Sequence, residues 1–179
     1  IVQTDGKKHR CLTQSLETAL LRPLLAIETS GPSIGVALCS ENELFFEENV
    51  MADAAHGRAL APLIRKALDA RGLRPAELGA VAISLGPGSW TGLRIGLSAA
   101  KALAWGAGVT LIGVPSFEAL AHAAAQHAPD YARLTLRDAR SEGFFFALFG
   151  ETCDVSDRLI KESAAHSSEI IAAVEKVMQ

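Results

Sequence analysis

Three short apolar strand patterns separated by tight turns, then helix, strand, helix and strand patterns in alternation, predict an α/β chain with the element order of a ribonuclease-H-like lobe. Two further observations point the same way. The run Gly86-Pro87-Gly88-Ser89-Trp90-Thr91-Gly92 lies between an apolar strand pattern, Val81 to Leu85, and a helix of small residues. Such a turn lets backbone N–H groups approach a ligand or another chain closely, and the helix start after it favours negative charge. The 179 residues, 49% of them hydrophobic, also suffice for a proper core.

The elements follow in order. Residues 1–22 carry only a short helical pattern, Leu16, Ala19 and Leu20, and read as an extension outside the main fold. Residues 23–115 form the first lobe. Strands are expected at Leu24 to Ile27, Ser33 to Cys39 and Leu44 to Val50, with turns at Ser30-Gly31-Pro32 and Glu41-Asn42. A helix is expected from Pro62 to Arg71, with Leu60, Leu63, Ile64, Ala67 and Leu68 on one stripe, Pro62 in its first turn and Gly72 as its C-terminal cap. Leu78 to Leu85 reads as the fourth strand, Thr91 to Ala107 as the second helix with Ser89 as N-cap, and Thr110 to Val114 as the fifth strand. Residues 116–179 form a second, shorter lobe, with helices near Ser116 to Gln126 and Ser168 to Met178 and strands near Arg133 to Arg137 and Phe144 to Phe149.

The second helix has two distinctive stripes. Gly92, Gly96, Ala100, Ala104 and Gly108 recur every four residues, a groove of small side chains that either packs inside the fold or receives another helix or strand. Arg94, Ser98 and Lys101 form a polar stripe, either a solvated face or a contact for a partner or phosphate.

Composition excludes several classes. A formal net charge of -3 gives no electrostatic footprint for nucleic acid. Cys11, Cys39 and Cys153 are odd in number and widely spaced, which fits reduced thiols and no Cys-based metal site. No run approaches the ~18 apolar residues of a membrane span, no secretory leader pattern opens the chain, and a cytoplasmic location is expected. His9, His56, His122, His127 and His166 never stand four apart, so no helical metal pair is expected, and His56 reads as a capping or surface residue.

The glycine turn lacks the Gly-Lys-Ser/Thr of a P-loop and the G-x-G-x-x-G of a dinucleotide fold. A looser anion contact, with Gly88, Ser89, Thr91 and Arg94 as candidates, stands beside a purely structural turn. Glu28-Thr29-Ser30 ends the first strand where phosphoryl-transfer enzymes of this fold place an acid; a second acid would be needed, and Asp138 is the candidate. No G-x-S-x-G elbow supports a hydrolase.

Five motifs in order, Leu25-Ala26-Ile27-Glu28-Thr29-Ser30, His56 with Leu60 to Ile64, Ser84 to Gly96, Ile112-Gly113-Val114-Pro115-Ser116 and Asp138-Ala139-Arg140, together resemble the TsaB (YeaZ) family, a glycoprotease-like branch of the actin-like ATPase superfamily. The resemblance covers residues 23–149. It implies a two-lobed fold and a non-catalytic subunit that binds a TsaD-type subunit, which transfers threonylcarbamoyl to the adenosine beside the anticodon of certain tRNAs. A TsaE-type ATPase would be the third member. TsaD-type relatives carry His-x-x-x-His on the first-lobe helix, whereas here Leu60 follows His56, so metal-dependent chemistry is not carried over.

The resemblance further implies that the first two helices meet the TsaD-type subunit or a second copy in a homodimer. By motif position that surface would contain Leu60, Leu63, Ile64, Ala67 and Leu68 on one helix, with Leu93, Gly96, Leu97, Ala100, Lys101 and Ala104 on the other. No cofactor is expected on the chain alone, ATP or ADP at the partner interface is left open, and tRNA is met only through the complex. The rival readings are an ATP-dependent phosphotransferase and a metallopeptidase-like enzyme of the same superfamily. Three departures from the family pattern stand out: Ser141-Glu142-Gly143-Phe144 exchanges the usual Gly and Glu, the second lobe is short, and residues 1–22 match nothing in it.

Overall fold

A computed structural model describes residues 22–41, 43–51, 56–127, 130–150 and 157–178. Its backbone divides into two units, the first running to Ser84 and resuming at Thr91–Gly113, the second comprising Leu85–Trp90 and the chain from Val114 onward. Leu16, Ala19 and Leu20, with His9, Cys11 and Cys153, lie outside the described residues.

The first unit is built from β1 (Leu24–Glu28), β2 (Ser33–Cys39), β3 (Leu44–Met51), α1 (His56–Asp69), β4 (Ala80–Ser84), α2 (Trp90–Ala107) and β5 (Thr110–Val114). The strands form one sheet in the order β3-β2-β1-β4-β5. β1 is antiparallel to β2 and parallel to β4, so Leu25 faces Leu38 and Val81 across the ladders, and Ile27 faces Val36 and Ile83. Side chains alternate along a strand, so these large residues share one face while Ala26, Ala37 and Ala82 share the other. Leu60, Leu63, Ala67 and Leu68 of α1 and Ala100 and Ala104 of α2 join the large-residue face in a single buried cluster.

Helix α1 begins at His56, six residues before the Pro62 start that the sequence suggests, and Pro62 lies inside it. An interior proline costs about 3 kcal/mol through its missing N–H and a clash with the preceding turn. Pro62 is on the exposed side, where water serves the freed carbonyl, while Leu60 is only 2% exposed and contributes burial worth roughly 1.5–3 kcal/mol. Packing of the Leu60 turn offsets the proline. The helix ends as expected at Gly72, whose φ of 61° lets the Leu73 N–H reach back to the Leu68 carbonyl at 3.0 Å.

The second unit contains α3 (Ser116–Ala125), β6 (Arg133–Asp138), β7 (Phe144–Phe149), β8 (Arg158–Ala165) and α4 (Ser167–Met178). The strands form an antiparallel sheet in the order β6-β7-β8. Phe117 and Ala121 of α3 pack with Ala147 and Phe149. Strand β8 is absent from the sequence expectations: Arg-Leu-Ile-Lys-Glu-Ser-Ala-Ala is rich in helix formers, and its pairing with β7 overrides that preference. Arg158 anchors it. The guanidinium bonds the Glu118 carboxylate on α3, lies 3.5 Å from Glu162 and stacks 5.3 Å from the Phe149 ring centre.

Both members of the Arg158–Glu118 pair are largely withdrawn from water, at 14% and 16% exposure, so the pair is screened far less than a surface one. Arg158→Ala leaves Glu118 without its charge partner and is expected to lower the unfolding free energy by about 2–4 kcal/mol in urea titration. A loss below about 1 kcal/mol would mean that β8 is held by the ladder alone.

Candidate functional site

The carboxyl ends of β1 and β4 bring together Glu28, Thr29, Ser30 and Ser84. Glu28 Oε1 accepts the Ser84 hydroxyl at 3.0 Å and also the Ser30 N–H, while the Thr29 N–H reaches Ser84 Oγ at 3.5 Å. Ser84 is 7% exposed and Thr29 is fully buried. The Glu28 carboxylate therefore closes a local turn by hydrogen bonds. Asp138, its suggested companion, lies in the second unit and accepts the Arg140 N–H at 2.7 Å. Each acid is thus engaged by its own neighbourhood. Among the described residues no three His, Cys, Asp or Glu side chains are grouped as metal ligands. Cys39 is half-buried, and burial pushes its thiol above the ordinary range, which keeps it protonated and a poor nucleophile near neutrality.

The glycine turn is held by α3. The Gly86 N–H donates to Ser116 Oγ at 3.1 Å, and the Ser116 N–H returns to the Gly86 carbonyl at 2.9 Å. Thr91 and Arg94 line a shallow depression of about 440 Å³ with Ile95 and Ser98, and Gly88 and Ser89 are half-buried. Ser89 immediately precedes α2, the position of an N-cap.

The small-residue stripe of α2 turns inward. Gly92, Gly96, Ala100 and Ala104 are its buried positions. A Cβ on Gly96 would stand 2.1 Å from Thr29 Oγ1 and 3.0 Å from Ile83 Cδ1, so at this point the helix backbone rests on the side chains of Thr29, just past β1, and of Ile83 in β4. The expected interface on α1 needs the same correction. Leu60, Leu63, Ile64, Ala67 and Leu68 are all 9% exposed or less, because the apolar stripe covers the chain's own sheet. Leu93 and Leu97 are half-buried, and Lys101 is exposed.

What α2 turns to solvent is Arg94, Ser98, Lys101 and Trp105, spaced four, three and four residues apart. Trp105 is 89% exposed, and Trp90 at the helix start is 74% exposed. Trp105 is missing from the sequence-derived candidates, although it continues the period of the polar stripe and could have been found by extending it one turn. The helix contains no acidic residue, so this face is cationic and aromatic.

The five-stranded sheet with its antiparallel meander and parallel β1–β4 pair, covered by two helices on its large-residue face, defines a ribonuclease-H-like, actin-like α/β fold. YeaZ from Pseudomonas aeruginosa shares it, with a TM-score of 0.71 and 24% identity over 80% of this chain and 67% of that one. The profile of the family described as TsaD, tRNA N6-adenosine threonylcarbamoyltransferase, matches residues 50–179, and the chain belongs to that family. Within it, the sequence is similar to the tRNA threonylcarbamoyladenosine biosynthesis protein TsaB of Bacillus subtilis, 35% identical over 98 residues, and of Haemophilus influenzae, 37% over 101. These matches take in 55% and 56% of this chain but only 43% and 42% of the relatives, so the chain spans less than half the length of the curated relatives it matches.

Gly96→Ala is expected to cost about 1–3 kcal/mol of stability, since the buried Thr29 side chain, and Ile83 beside it, must shift. Gly106→Ala, where nothing lies within 4 Å of the added methyl, should be neutral or stabilising by up to about 1 kcal/mol in the same chemical denaturation series. Leu63→Asp, which puts an unpaired charge in the core, should lower the thermal midpoint severely; a midpoint equal to the parent's would return Leu63 to the surface.

Proposed function

We propose that this chain serves tRNA threonylcarbamoyladenosine biosynthesis as a non-catalytic subunit whose work is to bind the TsaD-type subunit. Its relatives named for that biosynthesis support the pathway. Support for a binding role comes from one observation above all, the outward face of α2. Tryptophan and arginine are the residues that most often dominate protein interfaces, and this face presents Trp105, Arg94 and Lys101 on a helix whose other side is locked to the sheet. Leu60 in place of a second histidine four residues after His56 supports a role without the metal chemistry of TsaD-type relatives.

In this reading the interface uses the exposed positions of α2, with Leu93 and Leu97 at its margin. The inward positions named from motif alignment act by holding the helix in place. A second copy of the chain would use the same face when the partner is absent, so homodimer and heteromer exclude one another. The depression lined by Thr91 and Arg94 would seat a phosphate of ATP or ADP only with the partner present, and tRNA and the TsaE-type ATPase would be met through the complex.

Light scattering after size exclusion, with and without a TsaD-type subunit, tests the reading. A stable heteromer is expected, and failure to form one at micromolar concentration would overturn it. Arg94→Glu combined with Lys101→Glu should weaken the heteromer at least about tenfold by calorimetry while leaving the thermal midpoint unchanged. Unchanged affinity would move the interface off α2.

A further inference from the structure

Each unit contains an antiparallel three-stranded meander followed by a helix, β1-β2-β3-α1 in the first and β6-β7-β8-α4 in the second. In both, that helix lies against the second and third strands of the meander. The leading strands differ in what they carry. β1 holds β4 on its other edge, in parallel, with Val81 and Ile83 opposite Leu25 and Ile27, and both of these β1 side chains are buried. Among the described residues no strand pairs with the other edge of β6. Register puts Leu134 and Leu136 on one sheet face with Leu148 and Phe146 of β7. The two β7 residues are buried, whereas Leu134 is 40% and Leu136 49% exposed.

We propose that the open edge of β6 is a strand-binding site for another polypeptide. It takes an extended segment parallel to β6, with aliphatic side chains at alternate positions and small ones between. An unpaired edge offers a row of N–H and C=O groups to such a segment, and the side chains of alternate residues supply the selectivity. The outer strands of the two meanders carry charges, Glu47 and Glu48 on β3 and Lys161 and Glu162 on β8, which discourage pairing; β6 presents two leucines instead. The fitting pattern is the one β4 shows beside β1: Val81 and Ile83 on the large-residue face, with Ala80, Ala82 and Ser84 on the other. On β6 the aliphatic residues would cover Leu134 and Leu136 and gain by leaving water with them. The small residues suit the opposite face, where Arg133 and Thr135 are already buried on the side packed by α3. The site shares no residue with the exposed face of α2, so it is a second binding surface.

The probe is a synthetic peptide of the β4 sequence, Ala80 to Ser84, with two lysines added at each end for solubility, titrated into the isotopically labelled full chain and followed by NMR. Saturable shifts of β6 resonances are expected, with exchange of β6 amides slowed at least about tenfold at saturation. A peptide carrying Val81→Asn and Ile83→Asn should leave β6 unchanged. No shift at millimolar peptide overturns the proposal, and so does an equal response to the control. A spin label on the peptide's N-terminus should broaden the Arg133 end of β6; broadening at the Asp138 end overturns the parallel fit and needs no variant to read. Leu134→Lys with Leu136→Lys should weaken binding at least about tenfold at an unchanged thermal midpoint, and undiminished binding would remove the site from β6. β6 amides that are protected without peptide and lose protection on dilution also overturn the proposal, because a second copy would then fill the edge.

Discussion

The close approach of α2 to the sheet at Gly96 is the contact on which the first unit depends. With Thr29 Oγ1 only 2.1 Å and Ile83 Cδ1 3.0 Å from where a Cβ would stand, the helix lies against these side chains more closely than any larger residue at position 96 would allow. Every fourth residue from Gly92 to Ala104 is small for that reason, and burial of all four keeps the axis at one height over the strands. The proximity has a chemical cost. Thr29 Oγ1 is buried and makes no hydrogen bond among the described residues, which the packing around it must offset.

The two helices on that face divide the work. α1 supplies apolar area through Leu60, Leu63, Ile64 and Leu68, enough to carry an interior proline. α2 supplies nearness through its small residues and apolar area through Ile95, Leu97 and Leu103, while Trp90, Arg94, Lys101 and Trp105 are exposed. A helix fixed by its small face and decorated on its large one is a rigid platform, and a partner that binds it loses little entropy in ordering it. The same arrangement explains why the Glu28 turn reads as architecture: its carboxylate ties the end of β1 to Ser84 at the end of β4, the two strands on which α2 rests.

The second unit is held differently. Its small core of Phe117, Ala121, Ala147 and Phe149 is supplemented by a charged anchor, Arg158, which joins β8 to α3 while stacking on Phe149. Strand β8 is mostly exposed and polar, so its place comes from pairing with β7 and from that anchor.

The sequence by itself determined the order and kind of nearly every element: the meander, the strand-turn-helix at Gly86 to Gly92, and the cap at Gly72 are local matters of periodicity, turn chemistry and left-handed backbone. It also carried the family, through motifs whose order survives without any knowledge of contacts. It did not place β8, because a strand of helix formers is stabilised by partners 9 to 21 residues away in the chain and not by its own preferences. It did not fix the start of α1, where tertiary burial of Leu60 outweighs the local signal of Pro62. Above all it could not say which stripe of each helix faces inward. A row of leucines or of small residues suits a core and an interface equally well, and only the tertiary structure, by putting Leu63 and Gly96 against the sheet and Trp105 in water, decided between them.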